Sequence, residues 1–539
     1  MQTVHKLLNR RLAVSFKAYG ACGFSTTVNY AQEAKNEIPS VRPPNIDELY
    51  DISEKFGLNI PYEELSTYKD CMKGMLESFD RVDKFPEINP PVKYPRTGAY
   101  RPSAEENDHN AWYVKCDIKG AKGGPLEGKT IAVKDNIAVA GLPMMNGARM
   151  LEGYVPEYDA TVVNRVLDAG GRILGKSACE YLCMSGNSHT CASGPILNPH
   201  NRDRSAGGSS GGSAVLVSLK EVDMAIGGDQ GGSIRLPSCW SGCIGLKPTF
   251  GLVPYTGAFP IAKYVDHLGP MASTVEEVAL LLEVLAGSDG MDCRQPSEIS
   301  KVKYTKELKK GFADLKVGIM KEGFEECEED VEEIVKSAAF NLKNMGLNVS
   351  EVSVPLHKSG GDIWSSVGVP GVYHQLLHNA GITTGSFGHQ PTTMHDYVAK
   401  RMKTNGGDLS PTVKLFWLFG EHMKRNYELH HFCKGSNIVP HLKKAYNDAL
   451  SKYDILITPT IKYKAPLLPT QSASTEHVIK ESLGMIANTT PFNITWHPAL
   501  SINVGFSENL PIGMQIIGRH FEEATVLRAA LAVEQMIKN

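Results

Sequence analysis

The sequence predicts an α/β protein: one large domain with a mixed sheet core covered by helices, joined to a small helical appendage on its N-terminal side. From about Ala111 onward, short β-type runs alternate with amphipathic helical runs, a pattern typical of a sheet with helices on both faces. Ahead of that part lies a segment with only helical signals, followed by a proline-rich linker. The chain has 539 residues, of which 42% are hydrophobic and 21% charged, as in a globular protein.

The first 44 residues are predicted to be a transit peptide or a disordered tail. They contain Lys6, Arg10, Arg11 and Lys17, several hydroxyl residues and no acid before Glu33. Such basic, acid-poor composition is typical of a peptide that directs a protein to an organelle. We therefore expect a mitochondrial protein, with a cytoplasmic protein as the alternative.

The helical appendage and its linker are expected to span residues 45–95. Asn45 is a suitable cap for a helix over Ile46–Phe56, and Gly57 is a suitable end. A second helix is predicted from apolar residues that recur in steps of three and four, and this stripe is expected to pack into a core: Leu65, Tyr68, Met72, Met75, Phe79 and Val82. Prolines between 86 and 95 then form the linker to the main domain, residues 96–539.

Within the main domain, helices are predicted over Thr161–Asp168 and Val275–Leu285. The second is opened by a capping box of Ser273 and Glu276. The clearest predicted strands are Thr130–Val133, Val317–Met320, Leu347–Val354 and Asp454–Thr458.

Composition excludes several classes of function. The net charge of −3 gives no bulk attraction to nucleic acid or to a membrane surface. No apolar run reaches the ~18 residues that span a bilayer.

The 11 cysteines are scattered and contain no CxxC pair, although Cys179/Cys183 and Cys239/Cys243 are spaced to share a helix face. We expect buried, reduced thiols and no metal site.

Two matches to well-known motifs do not fit their surroundings. Gly170–Ser177 matches the P-loop pattern, but an amphipathic helix precedes it and a strand is predicted to begin at Arg172, so a helix-to-strand turn fits better. Gly207, Ser209 and Gly211 match the nucleophile elbow of α/β-hydrolases. The polar residues before them do not form a strand, and no local motif marks the acid and histidine of a triad.

Two glycine–serine clusters, Ser205–Ser213 and Gly227–Arg235, carry the densest chemical signal. Glycine-rich backbone can turn several N–H groups toward one oxyanion, and a serine in such a loop can attack a carbonyl held there. Serine is a weak nucleophile and needs a base, which Lys134 at the end of a predicted strand can supply if it is uncharged. By spacing alone, ordinary loops and a solvated lysine remain the alternative.

These residues resemble the amidase-signature family. The resemblance covers about residues 96–539. Within the family, the chain is most similar to bacterial amidases that hydrolyse the products of nitrile hydration. The resemblance is carried by seven segments: Ala132–Asn136, Gly207–Ala214, Asp229–Arg235, Gly245–Pro254, Asp266–Met271, Asn488–Asn493 and Gly513–Gly518.

The resemblance implies hydrolysis of a small-molecule amide through an acyl-enzyme, without metal or organic cofactor. Ser233 would be the nucleophile, and Ser209, which would follow a cis peptide bond from Gly208, would relay its proton to Lys134. The N–H groups of Gln230, Gly231, Gly232 and Ser233 would form the oxyanion hole. The supporting residues would be Asp229, Arg235 and Ser210.

Trp496 departs from the family pattern, which usually has a small residue there, commonly glycine. We consider that its indole narrows the acyl pocket, with packing in the core as the alternative. The physiological amide is left open, and a homo-oligomer is compatible with the sequence.

Competing functions also remain. They are the glutaminase subunit of a mitochondrial aminoacyl-tRNA amidotransferase, a fatty-acid amide hydrolase, and a non-enzymatic binding protein on the same fold.

Overall fold

The computed structural model describes residues 40–538 except 97, 314 and 386. The predicted transit peptide or tail therefore lies almost wholly outside the described residues. The chain divides into two compact units, one ending at Glu87 and the other beginning at Ile88. None of the described helices is long and apolar enough to cross a membrane.

The first unit contains the two predicted helices, α1 (Ile46–Phe56) and α2 (Leu65–Asp83). The Asn45 side chain accepts a hydrogen bond from the Glu48 N–H, and Gly57 ends α1 with a φ of 61°. Both predicted caps are confirmed, because a cap depends only on residues beside the helix end.

The apolar stripe of α2 is largely exposed, so the expectation that it packs into a core is wrong. Leu65 is buried, but Tyr68 is 46% exposed, Met75 60%, Phe79 62% and Val82 62%. Periodicity shows that a helix has an apolar face, but it does not show what covers that face. A unit of two helices has too few residues to enclose such a face by itself.

The second unit is built on a mixed sheet of eleven described strands, which confirms the predicted fold class. In chain order the strands are β1 (Trp112–Lys119), β2 (Thr130–Lys134), β3 (Arg172–Ser177), β4 (Met224–Asp229), β5 (Ile244–Lys247), β6 (His267–Ala272), β7 (Lys316–Met320), β8 (Asn348–Val352), β9 (Ile455–Pro459), β10 (Ala499–Ser507) and β11 (Leu510–Gly518). All four predicted strands are present, with ends shifted by one or two residues.

Across the sheet the strand order is β1-β3-β2-β4-β6-β5-β10-β11-β9-β7-β8. Pairing is parallel in β3-β2-β4 and in β9-β7-β8, and antiparallel at the other strand pairs. The β10–β11 hairpin therefore joins an N-terminal half-sheet to a C-terminal one.

Helices cover both faces of this sheet. Consecutive strand residues point to opposite faces: a Cβ on Gly513 would lie 2.6 Å from Cys239 Sγ of one helix, whereas Met514 packs in the same core as Val526 of another. In chain order the helices of this unit are α3 (Thr161–Asp168), α4 (Gly211–Ser218), α5 (Arg235–Ser241), α6 (Val275–Leu285), α7 (Tyr304–Glu307), α8 (Glu329–Asn341), α9 (Gly360–Val372), α10 (Thr392–Thr404), α11 (Pro411–Tyr427), α12 (His430–Leu450), α13 (Thr475–Leu483), α14 (Pro491–Ile494) and α15 (Glu523–Lys538).

The capping box of α6 lies one residue later than predicted. The Thr274 side chain accepts a hydrogen bond from the Glu277 N–H at 3.2 Å and donates one to the Glu277 carboxylate at 3.0 Å. The predicted pair of Ser273 and Glu276 is therefore wrong, because two adjacent hydroxyl residues and two adjacent acids make both registers equally good in sequence.

The P-loop match is placed in a turn and a strand. α3 ends at Asp168, and Arg172–Ser177 forms β3. The lysine of the motif, Lys176, is fully buried and pairs with Asp135 at 3.0 Å. It is therefore not presented to a phosphate, and the predicted helix-to-strand turn is confirmed.

Candidate active site

Lys134 lies at the carboxyl end of β2, between two parallel neighbours, and is fully buried. Its Nζ donates a hydrogen bond to Ser209 Oγ at 2.7 Å and another to the Gly228 carbonyl at 3.3 Å. Both acceptors are uncharged. The structure thus places this amine against a serine hydroxyl inside the protein, where solvent does not compete for the contact.

Ser209 lies in the turn that leads into α4. The Gly208–Ser209 peptide bond is cis, as expected. Only glycine fits before it, because a Cβ on Gly208 would lie 1.9 Å from the Asn187 carbonyl oxygen. This close approach fixes the backbone that directs the Ser209 hydroxyl at Lys134.

Ser210 joins this turn to the second serine cluster. Its hydroxyl donates to the Gly228 carbonyl at 3.1 Å and accepts from the Gly228 N–H at 3.2 Å. Its own N–H donates to the carbonyl of Ser233 at 3.2 Å. The expected hydrogen bonding of Ser210 within the network is confirmed, and it brings the Ser209 turn next to Ser233.

Ser233 lies in the loop between β4 and α5 and is 6% exposed. The loop conformation requires glycine at 232, which has a φ of 134° and whose Cβ would lie 2.4 Å from Thr489 Oγ1. The same Thr489 hydroxyl donates to the Gly231 carbonyl at 2.6 Å. A residue from the far end of the sequence therefore holds this loop.

The loop offers fewer free N–H groups than predicted for an oxyanion hole. The Gly232 N–H donates to Asp229 Oδ1 at 2.8 Å, so Gly232 is not available to an oxyanion in this structure. The N–H groups of Gln230, Gly231 and Ser233 have no acceptor among the described residues. The expectation for Gly232 failed because sequence does not show which N–H an adjacent carboxylate will bind.

Asp229 and Arg235 form the predicted ion pair, and both are fully buried. Arg235 binds the carboxylate through Nε and Nη2 at 3.0 and 2.9 Å. Its remaining hydrogen bonds go to Thr489, Asn493 and Gln515. Burial opposes ionisation of Asp229, but the Arg235 charge and hydrogen bonds outweigh it and lower the pKa of Asp229.

A small apolar cavity opens beside Ser233, with a volume of about 60 Å³. Trp364 of α9 lies over the loop and donates its indole N–H to the Gln230 carbonyl at 3.2 Å. Among the described residues, no Asp, Glu, Lys, Arg or His side chain lines the cavity. Its lining is Cys183, Met184, Ser185, Gly186, Gln230, Gly231, Ser233, Leu236, Ile261, Val265, Trp364, Val372, Phe416, Leu483 and Ile486.

Trp496 does not line this cavity. Its ring stacks on Phe250 with 4.7 Å between centroids and an angle of 13°, and its N–H donates to the Tyr264 carbonyl at 2.9 Å. All three residues line a different, larger cavity of about 500 Å³. The structure therefore gives Trp496 no part in narrowing the space at Ser233.

Glu180 is a buried acid beside the cis peptide that the sequence did not single out. Its N–H donates to the Ser209 carbonyl at 3.2 Å, and its carboxylate accepts from the Thr190 N–H and hydroxyl at 3.0 and 2.7 Å. Burial raises the pKa of Glu180 to about 7, although the Thr190 hydrogen bonds oppose the rise.

Other residues of the site were also missed. Cys183 was noticed only for its spacing from Cys179, and Trp364 lies in a helix that carries no motif. Among the described residues, no group of three His, Cys, Asp or Glu side chains is placed to hold a metal ion.

Comparison with known proteins gives consistent matches. The amidase family profile matches residues 95–527. An enantioselective amidase of Rhodococcus rhodochrous is 39% identical over an alignment of 511 residues that covers 93% of this chain and 97% of that protein. The A subunit of glutamyl-tRNA(Gln) amidotransferase from Methanosarcina mazei is 36% identical over 78% of this chain and 87% of that protein.

Solved structures share the fold. The A subunit of glutamyl-tRNA(Gln) amidotransferase from Thermotoga maritima matches with a TM-score of 0.66 and 30% identity, over 80% of this chain and 88% of that one. A 6-aminohexanoate cyclic dimer hydrolase matches with a TM-score of 0.67 over 77% of this chain and 86% of that one, at 23% identity. At that identity the second match bears on the fold alone.

Proposed function

Because the chain belongs to the amidase family, we propose that it hydrolyses carboxamides to carboxylates and ammonia with Ser233 as nucleophile and Ser209 and Lys134 as its proton relay. The observation that carries this proposal is the 2.7 Å hydrogen bond from Lys134 Nζ to Ser209 Oγ. It gives the buried Ser209 a basic partner, and the next residue, Ser210, donates its N–H to the Ser233 carbonyl.

In the proposed reaction, Ser233 Oγ attacks the amide carbonyl, and its proton passes to Ser209 while the Ser209 proton passes to Lys134. Lys134 must be uncharged to accept it. The N–H groups of Gln230, Gly231 and Ser233 stabilise the oxyanion. The relay then returns the proton to the leaving nitrogen, ammonia departs, and water cleaves the acyl-enzyme by the same steps.

The cavity supports a substrate with a compact apolar acyl group. Its walls are mainly aliphatic, aromatic and thioether side chains, and its volume of about 60 Å³ holds a few water-sized groups. Aliphatic or aromatic primary amides fit this description. A long acyl chain does not, which disfavours a fatty-acid amide hydrolase.

The second candidate is the glutaminase subunit of an aminoacyl-tRNA amidotransferase, which the similarity to the two amidotransferase proteins favours. Glutamine carries an ammonium and a carboxylate, and burying either without a charged partner costs several kcal/mol. The cavity lining in the described residues contains no Asp, Glu, Lys or Arg side chain that could pair with them. The Rhodococcus amidase also matches 93% of this chain, whereas the Methanosarcina mazei protein matches 78%. Both observations support a free-standing amidase.

The catalytic assignment is tested with a fluorophosphonate probe and a soluble amide. We expect the probe to label Ser233, and Ser233→Ala to lose labelling and at least ~10⁴-fold in kcat. Lys134→Ala should lose turnover similarly while keeping the wild-type Tm within a few degrees. Labelling that persists in Ser233→Ala, or that maps to Ser210, would refute the nucleophile.

The substrate class is tested by turnover of benzamide, propionamide, glutamine and a long-chain amide by the purified chain. Benzamide or propionamide should be the best substrate. A preference for glutamine would support the glutaminase function, and a preference for the long chain would support the fatty-acid amide hydrolase.

A further inference from the structure

The thiol of Cys183 lies at the point where the active-site cavity meets the Lys134–Ser209 pair. Cys183 lines the cavity together with Ser233 and is 6% exposed. Lys134 and Ser209 both lower the pKa of this thiol. The proposed reaction gives this sulfur no role, so a nucleophilic group beside the relay is left without an assigned function.

A second thiol, Cys179, lies against the first. Cys179 Sγ and Cys183 Sγ both contact the same atom, Asn146 Oδ1, at 3.5 and 3.2 Å. The chain turns sharply to bring them together, with left-handed φ values of 48° at Leu182 and 59° at Cys183. Two sulfurs four residues apart are thus held side by side.

The two thiols differ in their surroundings. Burial would raise the pKa of Cys183, but the neighbouring Cys179 and, while Lys134 is protonated, the charge of Lys134 lower it. Burial raises the pKa of Cys179, as it raises that of Cys191 to about 11. A thiolate reacts with oxidants and a thiol does so far more slowly. Cys183 therefore suits the attacking sulfur and Cys179 the resolving one.

We propose that Cys179 and Cys183 form a reversible oxidation site that takes a small hydroperoxide through the active-site cavity and inhibits the enzyme. Hydrogen peroxide is close to water in size and fits a cavity that holds water-sized groups. The inhibition part of this proposal rests on the proposed function, whereas the oxidation itself does not.

The chemistry balances without any group beyond the peroxide. The Cys183 thiolate attacks one peroxide oxygen, the S–O bond forms as the O–O bond breaks, and the departing hydroxide takes up a proton as water. Sulfur is oxidised by two electrons and the peroxide is reduced. Cys179 then attacks the sulfenic sulfur, the S–S bond forms, the S–O bond breaks, and a second water leaves. A dithiol reverses the step by thiol–disulfide exchange.

Oxidation would inhibit because it draws Cys183 Sγ toward Cys179 and away from the relay. The sulfur that lowers no barrier itself but lies in the same buried site then moves, and the packing beside Lys134 and Ser209 changes. We expect the oxidised enzyme to turn over amide about tenfold more slowly, and a dithiol to restore the rate.

The experiment treats the full-length protein with hydrogen peroxide, blocks remaining thiols and maps tryptic peptides by mass. The peptide 177–202 carries Cys179, Cys183 and Cys191. It should lose the mass of two hydrogen atoms and regain it after dithiothreitol. Cys191→Ser is the matched control, since Cys191 is also buried but contacts Ser193 instead of the relay, and it should behave as the wild type does.

The variants decide the assignment. Cys183→Ser should keep its mass and lose less than about twofold of its own activity under peroxide. Cys179→Ser should accumulate a sulfenic acid at Cys183 that a dimedone probe traps, which keeps the test valid if Cys183→Ser does not fold. An unchanged wild-type peptide, or a mass loss that persists in Cys183→Ser, would overturn the proposal. Because the mass is read without amide turnover, oxidation with no detectable amidase activity would contradict the proposed function alone.

Discussion

At the scale of single residues, Trp496 shows how a bulky side chain can occupy a position where a glycine is expected. Its φ of 69° lies in the left-handed region, which costs a non-glycine residue roughly 1 kcal/mol. The stack on Phe250, the hydrogen bond to Tyr264 and the cation–π contact with Lys443 at 4.9 Å offset that cost. The side chain is therefore held by its own neighbours and not by the cavity at Ser233.

We predict that Trp496→Gly lowers stability by about 2–3 kcal/mol, because the loss of packing exceeds the relief of backbone strain. The ratio of kcat/KM for benzamide and propionamide should stay within about twofold. Thermal unfolding and steady-state kinetics measure both effects. Trp364→Ala, at a residue that does line the cavity, is the control and should change that ratio. A changed ratio in Trp496→Gly would show that Trp496 contributes to the acyl pocket.

Glu180 gives a prediction for pH dependence. Its pKa is raised from 4.5 to about 7 in the folded protein, so the folded state binds this proton more tightly than the unfolded chain does. The stabilising contribution is fully present below about pH 4.5 and is lost as the pH rises through about 7. Between pH 5 and pH 8 this change amounts to about 2–3 kcal/mol.

Glu180→Gln removes the titration while keeping an acceptor for Thr190. Relative to the wild type, the variant should therefore gain Tm on going from pH 5 to pH 8. Differential scanning calorimetry at the two pH values measures the change. An equal Tm difference between variant and wild type at both values would show that Glu180 does not titrate in this range.

At the scale of elements, the loop between β4 and α5 depends on one buried ion pair. Removing Arg235 leaves the Asp229 carboxylate buried without its counter-charge, which typically costs about 3–5 kcal/mol. We predict that Arg235→Met lowers the free energy of unfolding by this amount and also loses amidase activity. The exposed pair of Arg172 and Asp117, 47% and 40% exposed, is the control, and Arg172→Met should cost less than about 1 kcal/mol. Similar Tm losses in the two variants would contradict a special role for the buried pair.

The elements also show which parts of a fold can be predicted locally. α1, α3 and α6 begin and end at the predicted residues, because caps and apolar periodicity lie within each helix. β10 and β11 were not predicted as strands, and the fully buried β11 has no alternation to distinguish it from a buried helix. The exposure of the α2 stripe depends on which parts of the protein lie against it. The register of the Thr274 cap depends on a choice between two adjacent hydroxyl residues. Local sequence decides neither.

At the scale of the whole molecule, the candidate site could be predicted only in part for the same reason. Lys134, Ser209 and Ser233 stand in recognisable segments, and the structure joins the first two by a hydrogen bond and links Ser233 to the same turn through the Ser210 N–H. Trp364, Glu180 and the Cys179–Cys183 pair belong to the site through contacts across the fold. The sequence marks the two cysteines only by their spacing, and it does not mark Trp364 or Glu180. The use of the Gly232 N–H by Asp229 is likewise a matter of geometry.

The subcellular location of the protein is predicted from the sequence alone. We propose that residues 1–30 direct it to mitochondria, because they carry four basic side chains and no acid. A fluorescent reporter fused to these residues should colocalise with that organelle. The matched control replaces Lys6, Arg10, Arg11 and Lys17 with glutamine and should stay diffuse. A diffuse signal from the unaltered fusion would show that these residues do not direct the protein to mitochondria.

The position of the β10–β11 hairpin governs when this molecule can be completed during synthesis. β5 and β9 each keep an unpaired edge until residues 499–518 have been made, although both strands are synthesised earlier. Open strand edges invite pairing with other chains. Arg235 also waits for Gln515 of β11 before its hydrogen bonds are complete. Until nearly all of the chain has been translated, β5 and β9 therefore expose edges that can pair with other chains, and a truncation before the hairpin would leave two half-sheets with no strand between them.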